Sequence, residues 1–348
     1  MPRRARPPAA PTTSKGDPSI MLRLPRRALL GSGLLASGLL AGTPARRLLA
    51  AEAGALTQPL KIIVPFPAGS VTDTLVRFLL QPLGNALRQT VVIDNRGGGF
   101  GVMAMQAAAE AKDGHTVVAS SVTTLSLNPV TLPKLPYDPM GDFVHLGLIA
   151  ETPYVLAVPN ASPAKDLPGF VKLAREKAGQ LTYAYGNASA QIAAETMARQ
   201  IGIGLTGIPY RGGAEALTDI VAGRVDCTFT DITNGLAQAR QGAMRALAVT
   251  TAQETPLAPG LPPLASVLPD FALTVWFGLS APKSLPPERA AYLNRTLNHV
   301  LAQPEMQRIL FEQGYTTRPM SGPDYTAFVA EETGRWGRLA REAGLAKG

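Results

Sequence analysis

Four junctions in the sequence bring hydroxyls, small residues and the start of an amphipathic pattern together: "PAGSVTD" (Pro67 to Asp73), "ASSVTT" (Ala119 to Thr124), "YGNASAQ" (Tyr185 to Gln191) and "YRGGAEA" (Tyr210 to Ala216). Each follows an apolar run that reads as a strand and precedes a run that reads as a helix. The first turn of a helix carries N–H groups without intrahelical partners and a partial positive charge, so these junctions suit carboxylates or phosphates. Taken singly, Thr72, Asp73 and Ser189 serve equally well as helix N-caps. Four such junctions at the ends of parallel strands would surround one anion.

Other chemistries lack their usual residues. His115, His145 and His299 have no ligand spacing that would assemble a metal site, and neither a G-x-S-x-G elbow nor a P-loop occurs. The cluster "DNRGGGFGVMAMQAAAEA" tests poorly as a dinucleotide fingerprint: Val102 stands where the third glycine belongs, and "HTVVASS" ends in serines instead of an acid. Gly97 to Gly101 read better as turn glycines that let the backbone approach a neighbour or a ligand. No cofactor is expected.

The elements that must position these junctions alternate. Strands are expected at "LKIIVPF", "TVVIDN", "HTVVASS", "YVLAVP", "LTYAYG", "LTGIPY", "VDCTFTD", "RALAVTT" and "TVWFGLSAP". Helical stripes fall at Leu75, Val76, Leu79, Leu80 and Leu83, at Ala193, Met197, Ala198 and Ile201, and at Leu217, Ile220 and Val221. This is an α/β pattern with mainly parallel sheets. Proline-rich stretches, Leu127 to Phe143 and Thr255 to Phe271, interrupt it twice, and each precedes an extended apolar segment able to cross a hinge. Two lobes follow, residues 54–155 with 276–348 and residues 156–275, with the helices after Pro287 packing on the first lobe.

The 348 residues suffice for two such lobes, and 46% hydrophobic content excludes disorder. A net charge of +8 would suggest nucleic acid or a membrane surface, but nine of the 33 basic residues precede position 54. Without them, and without Asp17 and Glu52, 24 basic residues face 23 acidic ones. The body is nearly neutral, so no nucleic-acid partner is expected. Residues 1–53 read as an export signal: Arg23, Arg26 and Arg27, a Leu/Gly/Ala run from Ala28 to Ala41, and the small-x-small site Ala51-Glu52-Ala53. "PRRALLG" resembles a twin-arginine signal, with Sec export the alternative, and Met21 sits at the natural start, making residues 1–20 an expected upstream extension. The apolar run falls short of the roughly 20 residues needed to span a bilayer. Export implies a periplasm. The mature chain has one cysteine, Cys227, in a strand-like run, so no internal disulfide can form.

Long motifs in order then resemble a known family, the extracytoplasmic solute receptors of the tripartite tricarboxylate transporter type, or Bug proteins. "IIVPFPAGSVTD" is similar to the family's I-V-P-F-P-P-G-G-x-x-D, "VVIDNRGGGFGV" to V-V-x-x-N-R-x-G-x-G-G, "LPYDPMGDF" to L-P-Y-D-P-x-x-D-F, and "PYRGGAEALTDIVAGRVD" to a P-Y-K-G block ending in G-x-V-D. The resemblance covers nearly all of the mature chain. It implies a two-lobed periplasmic binding fold of the second type, closing on a small organic acid. It implies ligand contacts from Phe66, Ala68, Gly69, Ser70, Thr72 and Asp73 in lobe one and from Gly186, Asn187, Ala188, Ser189 and Gln191 in lobe two. Ser121 and Thr123 match a third family loop, and Tyr210, Gly212, Gly213 and Asp231 line the far side in this reading. Asp73 either accepts from a ligand amine or hydroxyl or only caps its helix.

The sequence departs from the family pattern at Ala68, at Ser70-Val71 and at Val122, where proline or glycine-like residues are usual. Arg96 and Arg211 are the nearest bases, too few for a trianion, so a mono- or dicarboxylate is expected. The implied protein is a monomeric, non-enzymatic receptor that presents its ligand to a tripartite transporter membrane component or a sensor. The alternative is an exported enzyme on the same fold, with Asp73 or Asp231 as base. An intracellular ligand-sensing regulator would need a DNA-binding helix pair where this chain has an export signal.

Overall fold

The computed structural model describes residues 55–347; the export signal and its start codon lie outside the described residues. From the N-terminus run β1 (Leu60–Val64), α1 (Val71–Leu87), β2 (Val91–Asn95), α2 (Val102–Ala109) and β3 (Thr116–Ser121). A π-helical turn (Thr123–Leu127) and the short α3 (Asn128–Thr131) lead to the 17-residue β4 (Phe143–Pro159). Then follow α4 (Leu167–Glu176), β5 (Thr182–Tyr185), α5 (Ala188–Ile201), β6 (Thr206–Pro209), α6 (Gly213–Val221), β7 (Cys227–Asp231), α7 (Ile232–Arg240) and β8 (Met244–Val249). The last segment holds β9 (Thr274–Pro282), α8 (Pro287–Leu301), α9 (Pro304–Glu312) and α10 (Gly322–Glu342).

The strands form one continuous mixed sheet in the order β2-β1-β3-β9-β4-β7-β5-β6, with β8 also pairing β4. β4 joins its two halves. Phe143 to Pro153 run antiparallel to β9, whereas Tyr154 to Pro159 pair with β7 and β8. β1, β2 and β3 are parallel on one side, and β5, β6 and β7 are parallel on the other. β4 is thus far longer than "YVLAVP" suggests. Its first half is buried on both faces almost throughout, which removes the apolar–polar alternation by which a half-exposed strand is recognised.

Buried Thr250 ties the two chain crossings together. Its Oγ1 accepts from Tyr154 N–H at 2.8 Å and donates to the Leu273 carbonyl at 2.7 Å. Its backbone N–H donates to the Tyr154 carbonyl and its carbonyl accepts from Leu273 N–H. Four hydrogen bonds on one residue fix the strands at the point where the sheet changes halves.

Apolar periodicity explains the helices. Leu75, Val76, Leu79 and Leu83 of α1 are buried with Leu80 at the margin, as are Ala193, Met197, Ala198 and Ile201 of α5. On α6, Leu217 and Ile220 are buried, but Val221 is exposed, one position off the stripe. Helices α8 and α10 lie against β4. α10 also meets α5, through an ion pair between Arg199 and Glu342 at 2.5 Å. Cys227 is buried and free, and burial pushes its thiol pKa up. His115 and His145 are buried apart, bonded to Thr57 and Ser280 respectively, and His299 is exposed.

Candidate functional site

The N-terminal turns of four helices border one cleft. Its walls carry Ser70, Val71 and Thr72 from α1, Asn187, Ser189 and Ala190 from α5, Gly212 to Ala214 from α6, and Asp231 and Asn234 from α7. About 910 Å³ lies free of atoms there, solvent at the mouth included. Val71, Val122, Phe229, Val275 and Phe277 give it apolar walls, while among the described residues Arg211 and Asp231 are the sole charged side chains lining it.

On the α1 side, Ser70 is the N-cap: its Oγ accepts from Asp73 N–H at 3.2 Å. That leaves the N–H groups of Val71 and Thr72 outside the helical ladder, both on the cleft wall. Gly69 adopts φ +80°, a left-handed conformation that glycine enters without cost. Asp73 turns inward. Its Oδ2 accepts from Gly69 N–H and from Arg77 Nε, both at 2.8 Å, and its Oδ1 accepts from Asn95 Nδ2 at 3.0 Å. The same Asn95 amide donates to the Phe66 carbonyl. Asp73 therefore pins the Phe66–Gly69 loop from behind. Burial raises its pKa, but the hydrogen bonds from Arg77, Gly69 and Asn95 outweigh that and hold it below the usual carboxylate value.

On the α5 side, Asn187 Oδ1 caps the helix by accepting from Ala190 N–H at 2.9 Å. It also accepts from Ser189 Oγ and from the Tyr154 hydroxyl at 3.0 Å. Because a backbone N–H can only donate, the capping atom must be the amide oxygen, which leaves the Asn187 NH₂ to donate elsewhere. Tyr154 also shares a hydrogen bond with Ser189 Oγ at 2.8 Å, and burial pushes its phenol pKa up to about 12. It stays a neutral donor. Gly186 lets two loops meet backbone to backbone: a Cβ there would lie 2.3 Å from Gly212 C.

The third wall comes from the end of β3. Ser121 is 2% exposed, lines the cleft, and its Oγ has no hydrogen-bond partner among the described residues. An unpartnered buried hydroxyl costs roughly 1–3 kcal/mol until something bonds it.

Of the residues expected at the site, the cleft gathers Phe66, Gly69, Ser70, Thr72, Ser121, Thr123, Gly186, Asn187, Ser189, Gly212, Gly213 and Asp231. Ala68, Asp73, Ala188, Gln191 and Tyr210 do not line it. Tyr210 instead donates its hydroxyl to Asp219 at 2.6 Å. Sequence reading did not single out Tyr154, Thr228, Phe229, Thr230, Asn234, Val275 or Phe277, which come from strands and from the junction of β7 with α7.

The model of the tripartite tricarboxylate transporter family receptor matches residues 75–345. The chain belongs to this family. It is 33% identical over 291 residues to a protein encoded in the tcbD-tcbE intergenic region of Pseudomonas sp. strain P51, covering 82% of this chain and 86% of that one. It is 30% identical to protein BugT of Bordetella pertussis, covering 82% and 90%. Among solved structures, R. palustris Rpa4515 with adipate matches at TM-score 0.81 and 30% identity, over 83% of this chain and 98% of that one. The two-lobed periplasmic-binding α/β fold and the Bug-type resemblance both stand on these matches.

Proposed function

We propose that this receptor captures a small organic mono- or dicarboxylate in the periplasm, between lobes formed by residues 54–155 with 276–348 and by residues 156–275, and delivers it to a transporter membrane component or a sensor. The convergence of four helix N-termini on one cleft carries this reading. Each contributes a partial positive charge and free N–H donors, and together they neutralise a carboxylate without a cluster of bases. Asn187 NH₂ and Ser121 Oγ add donors, and the Val and Phe walls suit a short carbon chain. Capture of adipate by Rpa4515 supports the ligand class, and the change of β4 partners at Pro153–Tyr154 supports a hinge close to the lobe boundaries.

The family is one of receptors, and the enzyme reading loses Asp73 as a base, since both its oxygens are bonded internally and it is 1% exposed. Mass spectrometry of the small molecule that copurifies with protein exported to the periplasm tests the reading. A carboxylic acid released on denaturation is expected. Turnover of the bound acid would reverse it in favour of an enzyme.

A further inference from the structure

Asp231 is a buried acid on the cleft wall without a cationic partner. It is 7% exposed, and no Lys, Arg or His among the described residues lies within ion-pair distance of it. Its oxygens are held by neutral donors alone: Oδ1 accepts from Asn234 N–H and Oδ2 from Asn234 Nδ2, both at 2.9 Å. Capping α7 explains the first bond but not the charge, because Asn187 caps α5 equally well without one. The Thr230 hydroxyl and the residue's own backbone N–H also favour its ionised form, and none of these donors carries a positive charge.

Its place in the sheet fixes what could reach it. Tyr154 and Asp231 are directly opposite in the antiparallel β4–β7 ladder, so their side chains share one face. The Tyr154 hydroxyl is bonded into the Asn187–Ser189 cap. The acid therefore stands beside one of the anion-seeking helix ends, and a bare carboxylate bound there would meet a like charge.

We propose, on the basis of the receptor reading above, that Asp231 determines specificity by accepting a hydrogen bond from an ammonium group carried close to the ligand's carboxylate, so that the preferred ligand is a small amino acid. A hydroxy acid can donate to the same carboxylate but leaves its charge uncompensated, and an unsubstituted acid does neither. Burial raises the pKa of Asp231 against the hydrogen bonds from Asn234, its own backbone and Thr230.

Aspartate, malate and succinate share one carbon skeleton and differ in this substituent, so titration calorimetry of the folded receptor with each is the test. Aspartate is expected to bind at least tenfold tighter than succinate, with malate between them. Asp231→Asn, which retains the cap and the shape, is expected to bring the three within about threefold of one another; Asp231→Ser serves if that variant fails to fold. Equal binding of aspartate and succinate by the unsubstituted receptor, or the same ranking in both proteins, overturns the role of Asp231 and leaves the receptor reading intact. Binding of none of these acids, nor of any member of a wider carboxylate panel, overturns both.

Discussion

The backbone N–H of Gly69 donates to Asp73 Oδ2 at 2.8 Å, closing the proline-flanked loop onto the first turn of its own helix. Asp73 thereby acts on the cleft without facing it. Replacing Asp73 with alanine strips acceptors from Gly69, Asn95 and Arg77 and is expected to cost about 1–3 kcal/mol per buried donor left unpaired. Thermal denaturation should show the loss, and calorimetry a weakened carboxylate affinity. Because its pKa is depressed, its contribution is present above the unfolded value of 3.8 and disappears as pH falls through the lower folded value. Stability between pH 5 and 7 should therefore be insensitive to this group.

His145 acts with the same sign but in a higher pH window. It is 3% exposed, and burial pushes its pKa from 6.5 down to about 4. Between those values the unfolded chain binds a proton that the folded chain does not, so stability falls as pH drops from 6.5 towards 4. The full effect is about 3 kcal/mol. Denaturant unfolding at a series of pH values should show this slope, and His145→Gln should flatten it.

Gly186→Ala tests the contact between the two glycine loops. A Cβ would lie 2.3 Å from Gly212 C and 2.4 Å from Gly213 N, so the loops must part. Overpacking of this kind costs about 1–3 kcal/mol. The variant should remain folded by circular dichroism while its ligand affinity drops at least tenfold, since both loops line the cleft.

Thr250→Val tests the crossing point. The substitution preserves shape but leaves Tyr154 N–H and the Leu273 carbonyl without their side-chain partner. A loss of about 1–3 kcal/mol is expected, measured by denaturant unfolding. Ligand-induced closure, followed by small-angle scattering, should change with it.

Much of this was legible because it is local. Strand ends, N-caps and glycine turns are written in consecutive residues, which is why "PFPAGSVTD" and "YGNASAQ" pointed to helix ends before any coordinates. The role of Asp73 had a local sign as well, Arg77 one helical turn away. Tyr154 had none, since its partner Asn187 is 33 residues on and only sheet pairing brings Asp231 opposite it. The first half of β4 was hidden because burial on both faces leaves an apolar run without periodicity.

The central claim is that converging helix ends bind a carboxylate. Thermal unfolding of the exported receptor, freed of its copurifying ligand and titrated with amino, hydroxy and unsubstituted mono- and dicarboxylates, tests it most directly. Ligand at a hundred times its Kd should stabilise the folded state by about 2.7 kcal/mol, and the midpoint should rise by roughly 4–5 °C for a protein of this size. A folded receptor whose midpoint moves with none of these acids would contradict the account.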